Sequence, residues 1–246
     1  MPVFFISSRS ISDHGITIDG SLFNHLTKSL RFSEGDELVV GDETRQRHRL
    51  KILTVTKKKL EGEILTSEKG PPPLKTKITL GQAMLKGDHM TWAIQKATEL
   101  GVSTIVPLLT EHVIVRPKPD RFQSLHERHS RIALDAAQQS ERWDIPEVLP
   151  PTSLSNFLQT FRNATLRCLL VERNNVPGLN SLALNEDFMG TVILAVGPEG
   201  GWTPSEKQEA QRFGFTSISL GTTILRGETA PLATLSIIQS RLGNLG

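Results

Sequence analysis

Tyrosine is missing from the sequence altogether, and aromatic residues make up only 5% of its 246 positions. A sheet that stacks single-stranded bases needs such rings, so that mode of nucleic-acid binding is poorly supported. A single cysteine, Cys168, excludes an internal disulfide framework and a multi-cysteine zinc site. It lies in the apolar run Leu166–Val171 and reads as a small reduced core residue rather than a nucleophile. No apolar run approaches the roughly 20 residues that cross a bilayer. The opening MPVFFISSRS lacks the basic-then-apolar order of a secretory signal, and a soluble, cytoplasmic protein is expected. Neither sign of charge dominates. Lysine and arginine number 28 against 26 acids, a net charge of +2, so bulk electrostatics announces no polyanionic partner. With 37% hydrophobic and 22% charged residues, the composition is that of an ordinary globular chain. It is long enough to bury a core without a disulfide or metal staple.

The basic residues are unevenly placed. Between Thr44 and Leu60 stand Arg45, Arg47, Arg49, Lys51, Lys57, Lys58 and Lys59, with His48 and no acid. Such a stripe is either a phosphate-binding footprint or an edge strand guarded by lysines. Around it, Val3–Ile6, Gly15–Ile18, Glu37–Val40, Leu50–Thr56 and Leu60–Leu65 read as half-buried strands. A helix over Ser21–Leu30 would place Leu22, Leu26 and Leu30 on one face. A small β-barrel over residues 1–70 is expected. Lys69-Gly70-Pro71-Pro72-Pro73 then breaks every regular pattern, and a second domain is expected over 74–246.

In that second part strands alternate with helices. Thr76–Ala83 and Val102–Leu109 read as strands, as do the short runs Leu166–Val171, Thr191–Val196 and Thr216–Leu220. Asp88 and Asp120 are candidate N-caps, the first for a helix carrying Ala93, Ile94, Ala97 and Leu100, the second for one carrying Phe122, Leu125, Ile132, Ala133 and Ala136. Arg121, Arg128 and Arg131 lie on the far side of that second helix. The alternation predicts an α/β domain with a mostly parallel sheet.

Ligands of such sheets bind beyond the carboxyl ends of the strands, which singles out three loops. Gly197-Pro198-Glu199-Gly200-Gly201-Trp202 follows one strand and runs into Thr203-Pro204-Ser205-Glu206, a capping box with proline at the first helical position. It has no Lys-Ser/Thr pair after its last glycine and no Gly-x-Gly-x-x-Gly spacing, so nucleotide hydrolysis and hydride transfer are disfavoured. The second loop, Gly221–Ala230, carries Arg226 and Glu228, which are either an anion binder with a proton acceptor or a surface ion pair. A helix is expected to start near Pro231. The third loop, Glu172-Arg173-Asn174-Asn175, is uninformative alone.

The run Val196–Trp202, followed by Leu220-Gly221 and Ile224-Leu225-Arg226-Gly227-Glu228-Thr229-Ala230, resembles the RsmE-type ribosomal RNA uridine-N3 methyltransferases of the SPOUT superfamily. The likeness extends to His25-Leu26, Leu30-Arg31 and Gly35-Asp36, to Lys96–Gly101, and to Arg131-Ile132-Ala133 with Ala136–Ser140 and Arg142. The sequence departs from the family where Gly227 stands in place of a usual threonine, and near Thr222 and Thr223. The resemblance implies an N-terminal PUA-like β-barrel and a SPOUT α/β domain with a C-terminal trefoil knot. It implies an S-adenosyl-L-methionine site lined by Val171, Glu172, Val196, Gly197, Gly200, Leu220, Gly221, Leu225 and Ala230. The implied reaction methylates a uridine N3 in small-subunit (16S) ribosomal RNA, naked or in the assembled 30S subunit, on a homodimer without metal or membrane. Uridine N3 must lose a proton while charge spreads onto O2 and O4. Arg226 is the candidate for stabilising that charge and Glu228 for accepting the proton or orienting Arg226, with Lys28, Arg31, Arg49, Arg128 and Arg131 as candidate RNA contacts. Two alternatives stay open: a related knotted enzyme acting on a ribose 2′-oxygen or on transfer RNA, and a non-catalytic ribosome-assembly factor.

Overall fold

Alternating apolar and polar residues between Val3 and Lys69 build a six-stranded sheet in the computed structural model, which describes residues 2–12, 15–172 and 176–246. Its strands are β1 (Val3–Phe5), β2 (Ile11–Ser12), β3 (Gly15–Asp19), β4 (Glu37–Gly41), β5 (Gln46–Val55) and β6 (Lys59–Lys69), in the order β1-β4-β5-β6-β3-β2. All pairs but β1 with β4 are antiparallel. On β5 the period of two puts His48, Leu50 and Ile52 inside while Arg49 and Lys51 face solvent. Phe4, Ile16, Ile18, Leu26, Leu38, Val40 and Leu60 complete that core.

Two expectations need correction here. The ribbon β5–β6 runs well beyond the apolar stretches, because its outer arm pairs Gln46–Arg49 with Thr66–Lys69 and is polar on both faces, where hydrophobic periodicity is silent. The expected helix over Ser21–Leu30 is α1 (Gly20–Asn24) followed by a π-turn over His25–Ser29. There the Leu30 amide donates to the His25 carbonyl at 3.0 Å. A π-turn holds more residues per turn than an α-helix. Leu26 therefore stays fully buried while Leu30 rotates off the face and is 46% exposed.

Residues after Pro73 form a second sheet with every pair parallel. In chain order its elements are β7 (Thr76–Ala83), α2 (His89–Glu99), β8 (Thr104–Leu109), α3 (Phe122–Gln139), β9 (Glu147–Val148), β10 (Thr152–Ser153), α4 (Leu154–Thr160), β11 (Leu166–Leu170), β12 (Gly190–Val196), α5 (Pro204–Arg212), β13 (Thr216–Ile218) and α6 (Thr229–Arg241). The strand order is β10-β8-β7-β12-β11-β13, with β9 also on β8. Both faces are covered, as a parallel sheet requires. Ile78, Leu80, Val192 and Leu194 cluster with Ala93 and Ile94 of α2 and Leu235 and Ile238 of α6. Val106, Leu108, Ile193 and Ala195 cluster with Phe157 of α4 and Ala210 of α5. Cys168 is fully buried, and burial pushes its thiol up to about 12, which suits a core residue.

The predicted caps divide. Thr203 and Glu206 form the capping box, the Thr203 hydroxyl accepting from the Glu206 amide at 3.2 Å and the Glu206 carboxylate from the Thr203 amide at 2.8 Å. Asp88 precedes α2 but makes no capping bond. Asp120 lies inside a 3₁₀ turn, Pro119–Arg121, that Lys118 opens; proline at the first position starts the turn there. Helix α6 starts at Thr229, ahead of Pro231. One compact unit comprises the residues up to Pro73 with Ala137–Asp144, and the other Leu74–Ala136 with Ile145–Gly246. No described helix is long and apolar enough to cross a membrane.

Candidate active site

Because β11, β12 and β13 run parallel, their carboxyl ends lie along one edge, and the loops leaving them meet there. Together they enclose a cleft of about 540 Å³. All nine residues expected to hold a cofactor line it: Val171 and Glu172 after β11, Val196, Gly197 and Gly200 after β12, and Leu220, Gly221, Leu225 and Ala230 around the last loop. Arg226 and Glu228 line it too. Arg173, Asn174 and Asn175 fall outside the described residues.

The glycine loop is braced from beneath. The indole N–H of Trp202 donates to the Leu170 carbonyl at 2.8 Å, tying this loop to the end of β11. The same ring lies under Gly197, where a Cβ would stand 3.1 Å from it. Gly197 thus makes room for Trp202, whereas the space beside Gly221 is open. Gly221 has a φ of +122° and a Cβ there would meet nothing within 4 Å. From the loop after β8, the His112 Nδ1 lies 2.9 Å from the Gly200 carbonyl, and the Glu111 amide donates to the Glu206 carboxylate at 2.8 Å. At Gly227 a Cβ would come 2.7 Å from the Leu85 Cδ2, so Leu85 fills the place where the family's threonine is expected.

The two charged residues of the last loop point to different jobs. Arg226 is exposed, and its guanidinium has no protein partner among the described residues; its carbonyl accepts from the Thr229 and Ala230 amides and starts α6. Glu228 is buried, and its Oε1 lies 2.9 Å from the Nδ1 of His89. The Glu228 carboxylate thus bonds His89 rather than Arg226 among the described residues, because the turn into α6 directs it toward the start of α2. His89 was missed, though it follows the carboxyl end of β7, the edge that the strand-end rule marks. Lys207 of α5 also lines the cleft unforeseen.

The candidate RNA contacts are scattered. Lys28 and Arg31 are exposed, Arg31 with a φ of +61°. Arg49 is paired with Glu37 at 2.8 Å. Much of the surrounding stripe is likewise engaged within its unit. Arg45 bonds Asp144 at 2.7 Å, while Arg47 lies 3.6 Å over the Trp143 ring and donates to the Glu141 carbonyl. Arg128 and Arg131 are exposed on α3. Among the described residues no group of three His, Cys, Asp or Glu side chains is placed to hold a metal.

A family model described as RNA methyltransferase domain matches residues 72–239, and one described as RNA methyltransferase PUA domain matches 18–65. The ribosomal RNA small subunit methyltransferase E of Synechocystis sp. is 32% identical over 96% of this chain and 77% of its own length. The chain belongs to the small-subunit ribosomal RNA methyltransferase E family. Its PUA-like domain and α/β sheet are those of the family. The Mesomycoplasma hyopneumoniae methyltransferase E is 35% identical, covering 72% of this chain and 75% of its own. A solved methyltransferase E from Neisseria gonorrhoeae, bound to S-adenosyl methionine, superposes with a TM-score of 0.84 at 32% identity, covering 98% of this chain and 97% of that one. A putative methyltransferase from Legionella pneumophila, in complex with the cofactor, superposes at 0.87 with 27% identity, covering 98% of each chain.

Proposed function

We propose that this protein transfers the methyl group of S-adenosylmethionine to N3 of a uridine in small-subunit ribosomal RNA. The observation that carries the proposal is the convergence of three strand-end loops on one cleft, in a family whose Neisseria gonorrhoeae member is solved with S-adenosyl methionine bound. The cleft suits that cofactor chemically. Val171, Val196, Leu220 and Leu225 offer apolar walls for a purine, and the glycines leave backbone groups open to the polar parts. When bound, the cofactor supplies a methyl group on a positively charged sulfur.

The chain's own residues must then line up the uridine, hold the charge of its N3 anion and take its proton. Arg226, exposed on the cleft and without a protein partner among the described residues, serves the charge on O2 and O4. Glu228, bonded to His89 at 2.9 Å, serves the removal of the proton. Residues 1–70 act as the RNA-binding barrel and 74–246 as the methyltransferase domain, with Lys28, Arg31, Arg49, Arg128 and Arg131 as RNA contacts. A trefoil knot in the last strands is supported by the strand order, since β12 inserts between β7 and β11 and α6 returns to α2. A homodimer, working in the cytoplasm on naked or assembled small-subunit RNA, completes the reading.

Labelled cofactor and small-subunit RNA, digested to nucleosides after reaction, test it. The expected product is 3-methyluridine. A 2′-O-methylated nucleoside, or labelling of transfer RNA alone, would replace this reading by the related knotted enzymes, and RNA binding without transfer by an assembly factor. Arg226→Ala should lower single-turnover transfer about 100-fold, the size typical of losing one charge-stabilising donor. Arg226→Lys should recover only part of it, because lysine cannot bond two oxygens in a fixed fork.

A further inference from the structure

The buried carboxylate of Glu228 has one partner among the described residues, the imidazole of His89 at 2.9 Å. An ionised carboxylate only accepts, so the proton between them sits on His89 Nδ1. In the neutral ring the other nitrogen, Nε2, then keeps its lone pair. Glu228 exposes only 11% of its side chain, whereas His89 exposes 47% and stands in the cleft wall with Arg226. Of the two, the imidazole is the group a nucleobase can reach.

We infer that His89 accepts the N3 proton of the uridine, and that Glu228 is a positioning residue holding it in the Nδ1–H tautomer. The inference rests on the methyl-transfer reading above. In the step, the N3–H bond breaks as Nε2–H forms, and the freed N3 electron pair bonds the methyl carbon. The carbon–sulfur electrons stay on sulfur, which leaves as a neutral thioether. The positive charge that sulfur carried ends on the imidazolium, where the Glu228 carboxylate balances it. Arg226 and His89 thereby divide the work, one holding negative charge on the base's oxygens and the other removing the proton.

Three measurements test this. In histidine-labelled protein, nitrogen NMR should find His89 protonated at Nδ1 and not at Nε2, and Glu228→Gln should abolish that preference. A ring protonated at Nε2 in the wild type would overturn the inference whatever the enzyme's activity. In single-turnover transfer, His89→Gln should lose about 100-fold or more, as expected for removing a general base, while calorimetry finds cofactor affinity within about threefold of wild type. RNA carrying 5-fluorouridine at the target, whose N3 is more acidic, should shrink that loss at least tenfold, and added imidazole should partly restore His89→Ala. Near-normal transfer by His89→Gln, an equal loss on both RNAs, or a collapse of cofactor affinity would each overturn it. A wild-type enzyme that leaves uridine N3 unmethylated refutes the methyl-transfer reading, and the NMR arm separates that failure from this one.

Discussion

Replacing Trp202 by phenylalanine removes the side-chain bond that ties the glycine loop after β12 to the end of β11 while keeping an aromatic ring in the core. The indole donates to the Leu170 carbonyl at 2.8 Å, and Trp202 is 7% exposed, so water replaces that donor poorly. An unsatisfied buried carbonyl costs about 1–3 kcal/mol. Shrinking the ring beneath Gly197 adds about 1 kcal/mol of lost packing. The sum, about 2–4 kcal/mol, corresponds to a fall of roughly 4–16 °C in melting temperature for a protein of this size. Thermal unfolding with and without saturating S-adenosylmethionine is the assay. The variant should melt lower and also gain less from the cofactor, because ligand stabilisation scales with affinity for the native state and both loops that shape the pocket are loosened. A melting temperature within about 1 °C of wild type, with the full cofactor-induced rise, would refute the bracing role.

The two cleft glycines should behave differently. Gly221→Ala places a side chain at a φ of +122°, a strain of about 1–3 kcal/mol that reshapes the loop, and calorimetry should find cofactor affinity at least tenfold weaker; Gly197→Ala crowds Trp202 and should chiefly lower the melting temperature. Burial, with Arg128 and His126 adding to it, lowers His129 to about 4 from an ordinary 6.5. The unfolded chain therefore binds the extra proton, and stability falls as pH drops from 6.5 toward 4 and then levels off, a dependence that denaturant titrations should find reduced in His129→Gln. Cys168, with its thiol pushed up to about 12, should resist iodoacetamide in the native protein and react once unfolded; labelling of the native protein would contradict its place in the core.

How legible all this is in the sequence depends on how local each feature is. The parallel sheet was readable because its strands, buried on both faces, are unbroken apolar runs such as Val192–Val196. The capping box at Thr203 was readable because its partners are three residues apart. The cleft loops were readable for a similar reason: glycines after a strand mark where backbone comes close to a ligand. Leu30 was misplaced because periodicity assumes an α-helix, and nothing in His25–Ser29 announces the π-turn that shifts the register.

The charged residues were the hardest to read, since what a charge does is set by partners the sequence does not display. Arg45, Arg47 and Arg49 look alike in the basic stripe. Yet Arg45 meets Asp144, Arg47 lies over Trp143, and Arg49 meets Glu37 on the neighbouring strand. Only a fold can say which cations remain free for phosphate: Lys51, Lys57 and Lys58 of the stripe stay exposed, as do Lys28 and Arg31 outside it. Glu228 shows the converse. Arg226 is two residues away in sequence, but a single turn separates the two side chains, and the carboxylate meets a histidine that precedes it by most of the α/β domain. What brings that pair together is the parallel topology itself: the chain leaves β7 and later enters α6 at one edge of the sheet, so residues far apart in sequence share the cleft where the chemistry must occur.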